Sequence, residues 1–228
     1  MLEGIFRVLS DAIYFNLIKE ERYMLFVNGL KVSIQLTVFA AIIGVIIGLM
    51  MAIAKLTNNR ILNRIATAYT DVIRGTPSVV QLIVIYYAIL GSSQLPKLLV
   101  ASLAFGINSG AYVTELIRAG IQAVDKGQME AARSLGLSYA QAMRYVIVPQ
   151  AVKNILPALV SEFIVLLKET AVAGYIALDD LTRAGTIVRG RTFDPYTPFI
   201  LVALIYLYLT SILTAFMGRL ERRLRQSD

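Results

Sequence analysis

Five ionisable side chains stand in otherwise apolar stretches of this chain: Glu115, Arg118, Glu162, Lys168 and Glu169. A charge held away from water is costly, so such residues mark either a path for a polar solute or groups that neutralise one another. Asn108, Tyr112 and Glu115 recur at i, i+4 and i+7 and so share one helix face, and Glu162 and Glu169 share another. Counted from the ends of their apolar stretches, Glu115 and Glu162 lie at similar depths, roughly 12 to 18 Å inside. They are expected to face one cavity, lined by a polar path between two helices. Two carboxylates without counter-ions favour a cation. The alternative, mutual neutralisation of Glu115, Arg118, Glu162 and Lys168, stays open. Asn108, Ser109 and Gly110 fall near the middle of their stretch and are expected to weaken that helix, freeing backbone groups for a ligand. Ser92, Ser93 and Gln94 sit in a polar turn, where such residues need no function to be present.

Other chemistry is excluded by composition. The 228 residues include no cysteine and no histidine, so thiol, imidazole and triad mechanisms and disulfide frames are absent. The net charge of +7 does not form a basic surface with interleaved aromatics, as nucleic acid binding requires. The Lys and Arg residues instead gather beside long apolar blocks. With 57% hydrophobic residues, 16% charged residues and a mean hydropathy of +0.67, the chain reads as one all-α integral membrane domain.

Five spans are predicted, over residues 23–54, 65–90, 98–124, 150–176 and 196–217. Residues 1–22 alternate Ile5, Leu9, Ile13 and Leu17 with polar residues, as suits a helix lying in the membrane interface rather than a cleaved signal. Ala40, Gly44 and Gly48 give the first span a small-residue face suited to close approach of another helix, a candidate dimer contact. Pro77 in Arg74-Gly75-Thr76-Pro77 is expected to kink or break the second span. Eleven Lys and Arg residues flank the spans on one side, from Lys55 to Arg225, against seven on the other, which puts the C-terminus and the basic tail 221–228 in the cytoplasm.

The longest polar connection, residues 125–149, contains Glu130-Ala131-Ala132-Arg133-Ser134-Leu135, good helix formers, followed by Gly136, where a left-handed C-terminal residue is wanted. A short surface helix is predicted. Here the sequence resembles the permease subunits of bacterial ABC importers. Their cytoplasmic loop carries Glu-Ala-Ala, three residues and Gly, then about nine residues and Ile-x-Leu-Pro, matched here by Glu130-Ala131-Ala132, Gly136 and Val146-Ile147-Val148-Pro149, with Val146 and Val148 at the Ile and Leu positions. Arg74-Gly75-Thr76-Pro77, Ala111-Tyr112 with Glu115, Arg118-Ala119-Gly120-Ile121, Lys126-Gly127-Gln128, Pro149-Gln150-Ala151 and Leu167-Lys168-Glu169-Thr170 extend the resemblance to the polar amino acid branch, over residues 25–220.

The resemblance implies an importer subunit in the bacterial inner membrane, working as a homodimer or pseudo-symmetric heterodimer with an ATP-binding cassette ATPase and an extracytoplasmic amino-acid-binding protein. Glu130, Ala131, Ala132, Arg133 and Gly136 would couple it to the ATPase. The chain has no Gly-x-x-x-x-Gly-Lys followed by Ser or Thr, so ATP and Mg belong to that separate subunit and no cofactor is expected here. An amino acid needs acceptors for its ammonium and donors for its carboxylate, and Glu115, Glu162, Asn108, Tyr112, Ser161 and Ser92 are the candidates, with basic amino acids favoured by the two carboxylates. Two rival readings are a proton-coupled secondary transporter using Glu115 or Glu162 as relay, and a membrane scaffold whose buried polar residues tolerate apolar replacement.

Overall fold

Each long apolar block becomes a helix because backbone N–H and C=O groups in lipid have no other partner. The computed structural model describes residues 10–225 and contains helices and turns, with no strand among the described residues. Helix α1 spans Tyr23–Leu56, α2 Arg60–Arg74, α3 Ser78–Ile89 (its second half a π-helical turn), and α4 Lys97–Gln122. Helix α5 spans Lys126–Ser134, α6 Tyr139–Ala142, α7 Val148–Glu169, α8 Leu181–Thr192 and α9 Thr197–Arg225. A π turn over Met143–Ile147 joins α6 to α7, and 3-10 turns over Thr170–Ile176 follow α7.

Three of these helices, α1, α4 and α9, are long and apolar enough to cross a membrane, and α2 with α3 makes a fourth crossing if the bent pair is one span. Helix α7 is 22 residues long, about 33 Å, but carries Lys153, Glu162, Lys168, Glu169 and an internal Pro157. The second predicted span is broken at Pro77, as expected from the proline: α2 and α3 meet at 104°. Pro77 offers no N–H, and the Gln81 amide takes over the stranded carbonyls, donating to Ile73 O (2.7 Å) and Thr76 O (3.1 Å). The fourth predicted span ends early, its last seven residues being the 3-10 turns. Between it and α9 stands α8, in a stretch for which the sequence predicts no span.

Helix α4 forms the centre, with 72% of its most apolar stretch buried against 6% for α9, which lies at the outside of the bundle. The α1–α4 contact explains this. Gly44 meets Ser109 and Gly48 meets Val113, while Gly106 and Gly110 of α4 receive Ile43 and Ile47 of α1. The small-residue face of α1 is thus spent within the chain and not on a dimer contact, because two facing rows of small residues bring these backbones together. Residues 108–110 stay helical for the same reason, contrary to the expected weakening.

Residues 1–9 of the predicted interfacial helix lie outside the described residues, as do 226–228 of the tail. From residue 10 a short helix passes through a π turn (Tyr14–Ile18) and a 3-10 turn (Lys19–Glu21). It is held by Asn16, whose amide donates to Asp194 Oδ2 at 2.9 Å. The other oxygen of Asp194 accepts from the N–H groups of Tyr196 (2.9 Å) and Thr197 (3.1 Å) at the start of α9. Partial burial pushes its carboxyl up, but the hydrogen bonds from Thr197, Tyr196 and Asn16 outweigh that and hold it at about 2. A depressed folded-state pKa gives stability that is present above the ordinary value and lost as pH falls through the folded one. Asp194→Asn is therefore expected to lower the thermal midpoint in detergent at neutral pH, the gap to wild type closing between about pH 4 and pH 2. A gap independent of pH would contradict a charge-dependent cap.

Candidate functional site

Two polar layers cross the middle of the bundle, and α4 supplies both. In the first, Lys55 near the end of α1 donates to Glu115 Oε1 and to Thr70 Oγ1 of α2 (2.9 Å). Arg118, one turn along α4, donates from Nε (2.9 Å) and Nη2 (2.7 Å) to Glu115 Oε2. Both oxygens of Glu115 are thus occupied by cations, and the side chain is 17% exposed. Asn63 of α2 donates to the Lys55 carbonyl at 2.6 Å, tying the same corner to α2.

In the second layer, Ser109 Oγ donates to Glu162 Oε1 of α7 at 3.0 Å. Glu162 is partly buried and forms no ion pair among the described residues. On the neighbouring side of α4, Asn108 donates to Gln81 Oε1 at 3.0 Å. Gln81 in turn donates to the Thr76 hydroxyl at 2.7 Å. Tyr112 carries the guanidinium of Arg74 over its ring, 5.3 Å from the centroid. An open groove of about 570 Å³ runs beside the break, lined by Val72, Ile73, Thr76, Gln81, Leu103 and Ile107 among others.

The two glutamates are therefore placed apart. Glu115 lies six residues beyond Ser109 on α4, about 9 Å along the axis, and each carboxylate has its own partners. Asn108 and Tyr112 do share a face, but toward α2 and α3. Ser161 points elsewhere, its hydroxyl meeting Pro157 O (3.2 Å) and Met217 Sδ (3.3 Å) on α9. Ser92 is exposed in the turn before α4. Sequence reasoning missed Gln81 and the pairing of Lys55. Gln81 had a signal, a single amide in the apolar run Val79–Ile83 four residues after a proline. Lys55 had none, since a basic residue at a helix end serves topology equally well.

The predicted surface helix is α5. Asp125 caps it, its carboxylate accepting from Gly127 N–H at 2.6 Å. Gly136 ends it with φ +89°, Gly136 N–H donating to Arg133 O (3.0 Å) and Leu137 N–H to Ala132 O (3.2 Å), a Schellman closure. Ser138 and Gln141 then form a capping box that opens α6. This sharp turn leaves Leu135 85%, Tyr139 63% and Tyr145 63% exposed. Three large side chains on a polar connection are thus left outside the core.

Residues 44–226 match the family of binding-protein-dependent transport system inner membrane components. The chain is 41% identical over 203 residues to the arginine transport system permease protein ArtQ of Bacillus subtilis (strain 168), covering 88% of this chain and 93% of the relative. It is 34% identical over 204 residues to the glutamine transport system permease protein GlnP of Escherichia coli (strain K12), again covering 88% and 93%. Among solved structures, it resembles a chain described as the crystal structure of an amino acid ABC transporter with histidines, at a TM-score of 0.86 and 46% identity over 90% of this chain and 97% of that one.

Proposed function

The chain belongs to the family of inner membrane components of binding-protein-dependent transport systems, and from that premise we propose that it is the permease subunit of an ATP-driven importer for polar amino acids, basic ones among them. The observation that carries the coupling half of this reading is α5, which closes at Gly136 and presents Leu135, Tyr139 and Tyr145 to a partner. On this reading Glu130, Ala131, Ala132, Arg133 and Gly136 dock on a separate ATPase that holds the ATP and Mg. The chain crosses the membrane five times, α1, the bent α2–α3, α4, α7 and α9, with its C-terminus in the cytoplasm. A second permease copy completes the path, and an extracytoplasmic binding protein delivers the substrate.

The substrate half rests on Glu162, a carboxylate in α7 with a hydroxyl partner and no counter-ion among the described residues. It suits the cationic end of an amino acid, while Asn108, Ser109 and Tyr112 line the same turns of α4. The relatives named for arginine and glutamine are in keeping with a substrate of this chemistry. Glu115, saturated by Lys55 and Arg118, fits the structural role better.

Reconstitution of the permease with its ATPase in proteoliposomes tests this reading. With the extracytoplasmic binding protein supplied, ATP-dependent uptake of arginine, histidine or glutamine is expected, and Glu130→Arg is expected to reduce it at least about tenfold while the permease still folds, because a reversed charge at the docking helix removes the contact energy of one interface residue. Uptake that runs on a proton gradient without any ATPase would decide for a secondary transporter instead.

A further inference from the structure

Two arginines stand at the end of α2 that repels them. Arg60 and Arg64 lie one turn apart at its start, where the helix dipole is positive and each cation opposes the other. Both side chains are exposed, and neither pairs with a carboxylate among the described residues. Asp71, the single acidic residue of α2, lies two turns beyond Arg64 and forms no ion pair with it. An anion from outside the chain removes this penalty.

An apolar stripe runs beside them. Ile61, Ile65 and Val72 recur at i, i+4 and i+11 on α2 and are exposed. The other side of α2 is fixed on the bundle. Asn63 donates to Lys55 O (2.6 Å), Tyr69 Oη donates to Ile107 O (2.6 Å), and Thr70 Oγ1 accepts from Lys55 (2.9 Å). The stripe ends at Val72, on the edge of the groove of about 570 Å³ beside the bend of α2 against α3. Nine of the eleven residues lining this groove are aliphatic, Val80, Val84 and Ile85 among them. The other two, Thr76 and Gln81, already have partners. The Thr76 hydroxyl donates to Val72 O (3.0 Å), and Gln81 donates to Ile73 O and Thr76 O and accepts from Asn108. A hydrophilic solute would find no unpaired side-chain group there, whereas a hydrocarbon chain needs none.

One molecule can reach both the arginines and the groove. From Arg64 to Val72 is eight residues, about 12 Å of helix, within the length of an acyl chain. On the five-crossing reading the start of α2 faces the cytoplasm, and the cytoplasmic leaflet carries anionic lipids. A second copy of this chain, itself charged +7, is the poorer source of an anion.

We propose that Arg60 and Arg64 hold the phosphate of an anionic phospholipid of the cytoplasmic leaflet, one acyl chain of which lies over Ile61, Ile65 and Val72 and ends in the groove. The chain fills the bend between α2 and α3 from the membrane side, apart from Glu115 and Glu162. This inference rests on the topology of the importer reading and not on its substrate.

The test uses the full-length permease in nanodiscs. The chain contains no Trp, so Val84→Trp places a single indole in the groove. Its quenching by phosphatidylglycerol with brominated acyl chains is compared with quenching by phosphatidylcholine carrying the same chains, each titrated against unlabelled phosphatidylcholine. Phosphatidylglycerol is expected to bind at least about fivefold more tightly, the factor that one basic residue near an anionic surface contributes. Arg60→Gln with Arg64→Gln is expected to abolish the preference and leave quenching by phosphatidylcholine unchanged. Arg60→Lys with Arg64→Lys is expected to keep most of it, because the charge remains. Equal quenching by the two lipids in the Arg60, Arg64 chain, or a preference intact in the double Gln variant, would overturn the site. So would an indole that neither lipid quenches, which means that protein, such as a second copy of the chain, covers the groove. A thermal midpoint for each variant separates a lost site from a lost fold, and should the Gln pair not fold, Arg64→Gln alone decides by the same ratio. Topology is read separately. The chain also contains no Cys, so a membrane-impermeant maleimide is expected to label Asn58→Cys in inverted membrane vesicles and not in right-side-out ones. The opposite pattern would overturn the five-crossing reading, and this inference with it, a result distinct from the expected labelling without lipid preference.

Discussion

Glu162→Gln is expected to lower ATP-driven uptake of arginine by roughly 10- to 150-fold while moving the thermal midpoint little, the range following from the roughly 1.5–3 kcal/mol of one hydrogen bond to a charged group. The amide keeps the bond from Ser109 but loses the charge that a cationic substrate would neutralise. Glu115→Gln is expected to do the reverse. It leaves the Lys55 ammonium, 13% exposed, and the Arg118 guanidinium, 35% exposed, facing a neutral amide. Breaking a buried pair costs about 3–5 kcal/mol. The partial exposure of Arg118 places this case toward the lower end, still enough to depress the thermal midpoint by several degrees. Uptake per folded molecule should keep its preference for arginine over glutamine. The crossed result, in which Glu115→Gln loses arginine selectivity at unchanged stability, would make Glu115 the ligand and Glu162 the structural group.

The different fates of these two glutamates show what the linear order of residues carries and what it omits. Both were visible as charges in apolar stretches, and helical spacing placed Asn108, Tyr112 and Glu115 on one face. Whether a charge is free depends on residues far away in the chain. Lys55 is sixty positions from Glu115 and comes into reach only because α1 packs on α4 through glycines. The break at Pro77 was legible because proline acts locally through its ring and missing N–H. That its stranded carbonyls would be taken up by Gln81, and that Gln81 would be joined to Asn108, was not legible, since both are tertiary contacts. Gly136 stands at the other extreme. Its left-handed φ and the closure of α5 are local consequences of a helix ending at a glycine, and they appear where the spacing put them. Helix α8 is less legible because its stripe is short and thin: its buried residues Leu181, Ala184, Gly185 and Val188 recur at i, i+3, i+4 and i+7, but two of the four are small. Its burial comes from Phe26 of α1 and Val202 of α9 on either side.

Gly48→Ala is expected to lower stability by about 1–3 kcal/mol, the usual cost of overpacking, and Val113→Gly in the same chain, which moves the small residue to the other side of the seam, is expected to restore much of it. A Cβ built on Gly48 would lie 2.6 Å from Cβ of Val113 and 3.2 Å from the Gly110 carbonyl oxygen. Val113 is β-branched and held in one rotamer on its helix, so it cannot swing aside, and the α1–α4 seam must open. Removing its whole side chain, Cβ included, makes room for the added methyl group. A double-mutant cycle therefore reads a coupling of opposite sign to the single losses. Gly29→Ala is the control with no such remedy. There the new Cβ would stand 2.7 Å from the carbonyl oxygen of Asp180 and 3.0 Å from Cα of Leu181, which are backbone atoms, next to the bond from Leu181 N–H to Ser33 Oγ. No side-chain truncation relieves that clash, so α8 must shift away from α1 and the Leu181 bond lengthen. Thermal midpoints of the three single variants and the Gly48→Ala, Val113→Gly pair in detergent check this. Additive losses in the pair would mean that α1 and α4 are not in the close contact on which the placement of Ser109, Lys55 and Glu115 depends.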